Sequence, residues 1–346
     1  SIRANKRADG LYEAYNLIQF DCETIRITHL YEMLEGQVAV LSSGLLTATE
    51  AVELLDAMRQ SDLYREDQRS YMLYPNRRRL SFLELNNIPS SAKQLPVIQQ
   101  LTQDNKQDII CVDAQGELHF NAAFKNATFL DAALQKYHIS ADDRMALLNL
   151  YESVFHHHAF TGRSGTFYKY EGLGSIYWHM VSKLLLAVGE IIQSNEAVPE
   201  RLKMHYLAIR EGIGAHKQPA EYGSFPFDPY SHTPSMAGVQ QPGMTGQVKE
   251  DIINRFFELG VSVKDGCVTF APQMLTEKDF QQDGTLRFTY SGVPITYIQH
   301  SNAEITIRTA EKDIIITDNT LPYSYSEHLF ARDGYIQEMI IKITTI

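Results

Sequence analysis

Cysteine is scarce: Cys22, Cys111 and Cys267 are the only three in 346 residues, and no two form a CxxC pair. An odd count at such spacing argues against a disulfide framework or a zinc ribbon and leaves reduced, structural thiols. Basic residues are outnumbered, 31 Lys and Arg against 42 Asp and Glu, giving a formal charge of −11. Nucleic acid and anionic membrane surfaces both need clustered cations, so neither is expected as a partner. The single basic cluster, Arg77-Arg78-Arg79, reads as a solvated turn. Long apolar runs are missing as well. The stretch Val181 to Val188 is broken by Ser182 and Lys183, far short of the roughly 20 residues a membrane span requires. The opening SIRANKRADG lacks the apolar segment of a signal peptide, so a cytoplasmic location is expected. A chain that opens on Ser rather than Met is expected to be a domain cut from something larger.

Hydrophobic residues make up 44% and charged residues 21%, the balance of a globular protein long enough for two domains. Apolar spacing predicts helices over 11–20 and 30–41, with the possible short strand IRIT between them. Thr47-Ala48-Thr49-Glu50 has the form of a capping box and opens an amphipathic helix. A helix with Pro96 in its first turn follows, then a β-hairpin near 108–120 around Ala114-Gln115-Gly116. Helices are expected at about 125–137 and 141–155, the second capped by Ser140. The stretch from about 170 to 193 is apolar over so much of its circumference that it must be buried. Pro199 opens another helix, and 246–259 forms the last, stopping at Gly260. From Val261 the texture becomes alternating and β-branched, with turn signals at Asp265-Gly266, Ser291-Gly292 and Asp333-Gly334. Five or more short antiparallel strands there predict a β-sandwich. The expected organisation is a helical-hairpin domain over 1–260, carrying the hairpin insert, and a β-sandwich over 261–346. The fold class is mainly α with a β appendage.

The chain is organised around Phe160 to Glu250. Between Pro219 and Gly246 hydrophobic periodicity is almost lost, yet the run AEYGSFPFDPYSHTPSMAGVQQPGMTGQ is dense in Gly, Pro, aromatics, His and Gln. Disorder favours charge and avoids aromatics, so this composition predicts an ordered loop lining a site. Sugar recognition needs aromatic faces with amides and carboxylates in fixed positions. Tyr168, Trp178, Tyr230, Gln240 and Gln241 supply such groups, with His179, His216 and His232 as hydroxyl or phosphate partners. Buried, satisfied histidines are the alternative for those three. Glycosidic cleavage needs a carboxylic acid and usually a second carboxylate. Glu171, Glu211 and Asp228 are the candidates, each in a Gly- or aromatic-rich setting, and Glu171 is expected to share a helix side with Ser175 and His179. Their bland readings are a helix-start Glu, a helix-end Glu and a turn-starting Asp-Pro.

Arg163 lies in Thr161-Gly162-Arg163-Ser164-Gly165-Thr166, which has the ingredients of a phosphate loop before a helix. A Gly-hinged turn whose Arg pairs with a carboxylate is the other reading. No metal is expected: consecutive His156, His157 and His158 splay apart on a helix, and no HExxH is present. No GxSxG elbow occurs either, and Ser231-His232 adjacency is not a triad.

The stretches GRSGTFYKYEGLGSIYWHM, IREGIGAHKQP, YGSFPFDPYSHTP and QQPGMTGQVKED, set among helical hairpins before a terminal β-sandwich, carry a resemblance. The chain resembles the C-terminal region of six-hairpin (α/α)-toroid glycosidases and cellobiose-phosphorylase-like proteins. The resemblance implies an oligosaccharide as partner, hydrolysis or phosphorolysis as the reaction, and no cofactor beyond inorganic phosphate as a co-substrate. It also implies that an upstream domain or a second chain completes the toroid. The rival expectation is a non-catalytic portion of a split or multidomain carbohydrate enzyme, or a glycan-binding or assembly module.

Overall fold

A computed structural model describes residues 1–20, 24–29, 32–76, 80–156, 174–195, 197–213, 217–222, 230–233, 240–242 and 245–343. At 17, 19, 222, 230–233, 240–242 and 245–247 only the backbone is described. The chain divides into two compact units, Ser1–Pro75 with Ser175–Ile346, and Asn76–Gly174. This division differs from the break at 260 expected from sequence texture.

The expected helix over 11–20 does not form. Asn16–Phe20 is strand β1, paired antiparallel with β2 (Ile25–His29), with Ile18 opposite Ile27 and Phe20 opposite Ile25. The apolar spacing of NLIQF suits a period of two as well as a helix, and the β-branched strand opposite decides between them. Helix α1 (Leu34–Leu41) and helix α2 (Ala48–Gln60) follow. The capping box at the start of α2 is made in full: Glu50 N donates to Thr47 Oγ1 at 3.2 Å, and Thr47 N donates to Glu50 Oε2 at 2.9 Å. Two short strands, β3 (Tyr64–Arg65) and β4 (Ser70–Tyr71), form a ribbon.

The second unit holds α3 (Phe82–Leu85), α4 (Pro96–Gln103), the hairpin β5 (Ile110–Val112) and β6 (Leu118–Phe120), α5 (Ala127–Leu134) and α6 (Ala141–Phe155). Pro96 stands at the first turn of α4 and Ser140 caps α6, both as the sequence predicts. The buried amide of Asn86 reads the β6 backbone like a further strand: its Nδ2 donates to Phe120 O at 2.8 Å and its Oδ1 accepts from Phe120 N at 3.0 Å. A separate apolar core, including Ile98, Ile109, Leu130, Leu147 and Tyr151, fills this unit.

The first unit resumes with β7 (Ile176–Tyr177) and α7 (Trp178–Gln193). The helix expected from about 170 therefore starts eight residues later. Gly174 sits at φ +66 and an extended pair follows it, so Ser175 and His179 do not share a helix face. Eleven of the sixteen residues of α7 are buried, as its apolar circumference predicts, and each enclosed Leu or Ile contributes about 1.5–3 kcal/mol. Then come α8 (Glu200–Gly212), α9 (Pro219–Tyr222), β8 (Tyr230–Thr233), β9 (Gln240–Pro242) and α10 (Thr245–Glu258). Helices α1, α2, α7 and α8 share one apolar core.

Gly260 ends α10 at φ +68, a conformation that favours glycine. Beyond it lie β10 (Val261–Lys264), β11 (Cys267–Phe270), β12 (Thr285–Tyr290), β13 (Val293–Gln299), β14 (Glu304–Arg308), β15 (Asp313–Ile316), β16 (Thr320–Leu321), α11 (Tyr323–Ala331) and β17 (Glu338–Ile343). They form a three-stranded sheet, β10-β11-β16, and a five-stranded sheet, β12-β13-β17-β14-β15, around a third core. Asp265-Gly266 and Ser291-Gly292 make two-residue hairpin turns with all four residues at positive φ. The expected set of antiparallel strands needs one correction: β13 and β17 pair in parallel. Parallel neighbours require a long crossover, and the chain makes it through β14, β15, β16 and α11.

Candidate functional site

The N-terminal end of α7 gathers the largest share of the residues singled out by sequence. Strand β7 pairs with β8 and β8 with β9, which sets Tyr177 opposite His232 and His232 opposite Gln240 in one row across the sheet. Tyr230 lies in the same sheet opposite Pro242, and Gln241 lies between Gln240 and Pro242. Directly after Tyr177 come Trp178 and His179, the first residues of α7. The backbone thus brings six candidates, Trp178, His179, Tyr230, His232, Gln240 and Gln241, to one sheet–helix corner.

His179 carries the chemistry of that corner. Its Nδ1 lies 3.3 Å from Tyr177 Oη, and its Nε2 lies 3.2 Å from Glu250 Oε2 on α10. Glu250 is buried, and one turn further along α10 so is Asn254. Among the described residues, both amide atoms of Asn254 are enclosed without a hydrogen bond, and His179 Nε2 and Glu250 Oε2 have no polar partner other than each other. Buried polar atoms in that state are rare and ask for an explanation. A carboxylate that accepts, an imidazole that can do either and an amide that does both form a set able to hold hydroxyl groups.

Trp178 has a different fate from the sugar-stacking surface expected of it. The indole is fully enclosed, and Lys217 Nζ stands 5.0 Å from its ring. Lys217 is itself buried and donates to Gln68 O at 2.6 Å. Burial disfavours its charged form and brings its pKa down to about 8. Gln68 Nε2 in turn donates to Glu221 O at 2.8 Å, and Arg69 pairs with Glu221 at the surface. A ring so enclosed belongs to the core.

Glu211 occupies the last turn of α8 and is half-buried. Arg163, Tyr168, Glu171, His216 and Asp228 lie outside the described residues. Among the described residues no three His, Cys, Asp or Glu side chains are grouped to hold a metal ion, and no helix is long and apolar enough to cross a membrane.

Sequence reasoning missed Tyr177, Lys217, Glu250 and Asn254. The last two were hidden because α10 is inverted. It buries the polar stripe Glu250, Asn254 and Glu258, while Val248, Ile252, Ile253 and Phe256 are exposed. An i, i+4, i+8 spacing of polar residues could have marked the stripe, but amphipathicity alone assigns such a face to solvent.

Residues 80–158 match the profile of a domain described as GH149 phosphorylase insertion domain 2. The matched segment falls wholly within the compact unit Asn76–Gly174. This part of the chain is therefore similar to part of a glycoside phosphorylase. No curated protein sequence matches the chain.

Proposed function

We propose that the chain is a portion of a carbohydrate-active enzyme that transfers a glycosyl unit from an oligosaccharide to inorganic phosphate. The single observation that carries this reading is the similarity of residues 80–158 to an insertion domain of a phosphorylase, in a unit compact on its own. The helical pairs of the first unit are read as part of an (α/α) toroid, which an upstream domain or a second chain completes. The C-terminal sheets are read as its β-sandwich. Glu171, Glu211 and Asp228 are the acids proposed for glycosidic cleavage, and Arg163 and His216 the groups proposed to meet phosphate. His179, Tyr230, His232, Gln240 and Gln241 are proposed to meet sugar hydroxyls. Phosphorolysis takes precedence over hydrolysis because the similarity is to a phosphorylase.

The test runs the reaction in both directions. Oligosaccharides of varied linkage are incubated with and without phosphate, and sugar 1-phosphates are offered with acceptor sugars while phosphate release is measured. Phosphate-dependent sugar release is expected. Silence in both directions, with no thermal shift by any sugar, sinks the reading.

A second reading, a non-catalytic or assembly portion of a larger enzyme, is favoured by apolar side chains left in solvent. Ile18, Phe20, Ile25 and Ile27 on the β1–β2 hairpin are all more than half exposed, a load seldom carried without a partner. Amide replacement of Glu171, Glu211 and Asp228 separates the two. Turnover lost with binding kept indicates the enzyme, and no change in either means that the site lies elsewhere.

A further inference from the structure

Helix α7 carries a second place of interest toward its C-terminal end. There, α7, α10, β10 and the end of β12 enclose a cleft of about 320 Å³, within the size range of small-molecule sites. One wall is aromatic. Phe256 and Tyr290 meet edge to face, ring centroids 5.4 Å apart and planes at 89°, so a ligand lying on one ring face has the other ring as a side wall. Leu186 and Phe257 line the apolar remainder. Gly189 lies on the same lining, and a Cβ there would stand 3.1 Å from the Phe257 ring.

Besides the Tyr290 hydroxyl, three polar side chains line the cleft: the Glu190 carboxylate, the Gln193 amide and the Ser262 hydroxyl. None of the three makes a side-chain hydrogen bond among the described residues. Glu190 and Gln193 are exposed at the mouth and Ser262 is half-buried. A flat apolar face bordered by a carboxylate, an amide and a hydroxyl complements a pyranose, whose C–H faces are apolar and whose rim is hydroxyls.

We propose that this cleft binds one glycosyl unit of an oligosaccharide, stacked against Phe256 and Tyr290 with its hydroxyls on Glu190, Gln193 and Ser262. The site is distinct from the His179–Glu250 corner: Glu190 follows His179 by eleven residues on one helix, about 16 Å at roughly 1.5 Å per residue. It acts as a holding site for a second part of the sugar chain, not as a place of bond cleavage. The choice of a glycosyl unit as ligand rests on the phosphorylase-related reading above.

The experiment titrates the full chain with short gluco-oligosaccharides of differing linkage, without phosphate, by calorimetry. Phe256→Ala is expected to weaken binding about tenfold. Because that change could disturb packing, Glu190→Gln and Gln193→Ala serve as exposed-site variants whose circular dichroism should match the parent and whose binding should weaken at least threefold. Phosphate-dependent turnover of a disaccharide, too short to reach both places, should stay unchanged in all three. Binding that is unaffected by Glu190→Gln and Gln193→Ala overturns the cleft assignment, and if turnover persists the phosphorylase reading survives it. Cleft-dependent binding in a chain that shows no turnover supports the cleft and favours the non-catalytic portion of a carbohydrate enzyme over the phosphorylase. Absence of any sugar binding, or self-association of the chain that Phe256→Ala abolishes, overturns the cleft assignment.

Discussion

The backbone N–H of Leu73 donates to the carbonyl of Ser175 at 2.8 Å, so two segments a hundred residues apart in sequence lie side by side. Between them the chain departs after Pro75 to build the unit Asn76–Gly174 and returns. Within that unit the two ends are also neighbours, since a Cβ on Gly174 would stand 3.1 Å from the side chain of Asn76. Adjacent ends and a private core are what allow one domain to be inserted into another.

Residues 76–174 expressed alone should therefore fold cooperatively, and joining Pro75 to Ser175 through a short Gly-Ser linker should leave the remainder folded. Circular dichroism and urea unfolding of both pieces check this. In the isolated unit, Asn86→Ala should cost about 2 kcal/mol, because two buried backbone groups of Phe120 lose their partner. A remainder that aggregates after excision would show that the two units are not separable.

A second expectation concerns the pair across α7 and α10. Glu250 is buried with its Oε2 3.2 Å from His179 Nε2. Removing one member of a buried pair leaves the other uncompensated, whereas replacing both by apolar groups is often nearly neutral. Glu250→Ala should lower stability by about 3 kcal/mol, and the double variant His179→Leu with Glu250→Leu should return to within about 1 kcal/mol of the parent. Phosphate-dependent turnover then distinguishes the roles. A double variant that is folded and inactive places the corner in the reaction, and one that is folded and active makes it structural.

What the sequence disclosed, and what it concealed, follows the range of the interactions involved. Thr47 and Glu50 announce α2 because a capping box is written in four consecutive residues. Asp265-Gly266 and Ser291-Gly292 announce their hairpins because a two-residue turn needs positive φ at both positions. The start of α7 lies later than its apolar spacing suggests because Gly174 takes a positive φ and an extended pair follows it, a break that continuous apolar spacing does not register. Asn16–Phe20 fits two periods, and only its pairing with β2 selects one. The inversion of α10 is still less visible, since Glu250 and Glu258 are buried by partners on α7 and α8 far away in sequence. The limits of the inserted unit are set by the Leu73–Ser175 contact, which no local pattern records.

Glycine at 260 can be tested against glycine at 44. The two have nearly the same φ, +68 and +69, yet differ in space. A Cβ at 44 meets nothing within 4 Å, whereas one at 260 would lie 2.1 Å from Pro272 N and 2.2 Å from Ala271 C. Gly44→Ala should thus cost only the left-handed backbone strain, about 1–2 kcal/mol. Gly260→Ala must in addition displace backbone where α10 turns into β10, and should cost at least about 3 kcal/mol. Equal losses in thermal or urea unfolding would mean that the close approach to residues 271 and 272 is not as drawn.

Lys217 gives a pH signature of known sign. Burial lowers its pKa from the ordinary 10.5 to about 8, so at pH 7 both the folded and unfolded chains carry the proton and the folded state bears the full cost of enclosing it. Between about 8 and 10.5 the unfolded chain holds more protons than the folded one, and stability rises with pH wherever that is so. The folded chain should become more stable from pH 8 to about 9.5, below the range where exposed tyrosines ionise in the unfolded state. Lys217→Met keeps the apolar stem beside Trp178 but has no proton to lose, so its stability should lack this rise. Urea unfolding of parent and variant at matched pH values isolates the difference, and parallel curves across that interval would show that the Lys217 ammonium is not held away from water.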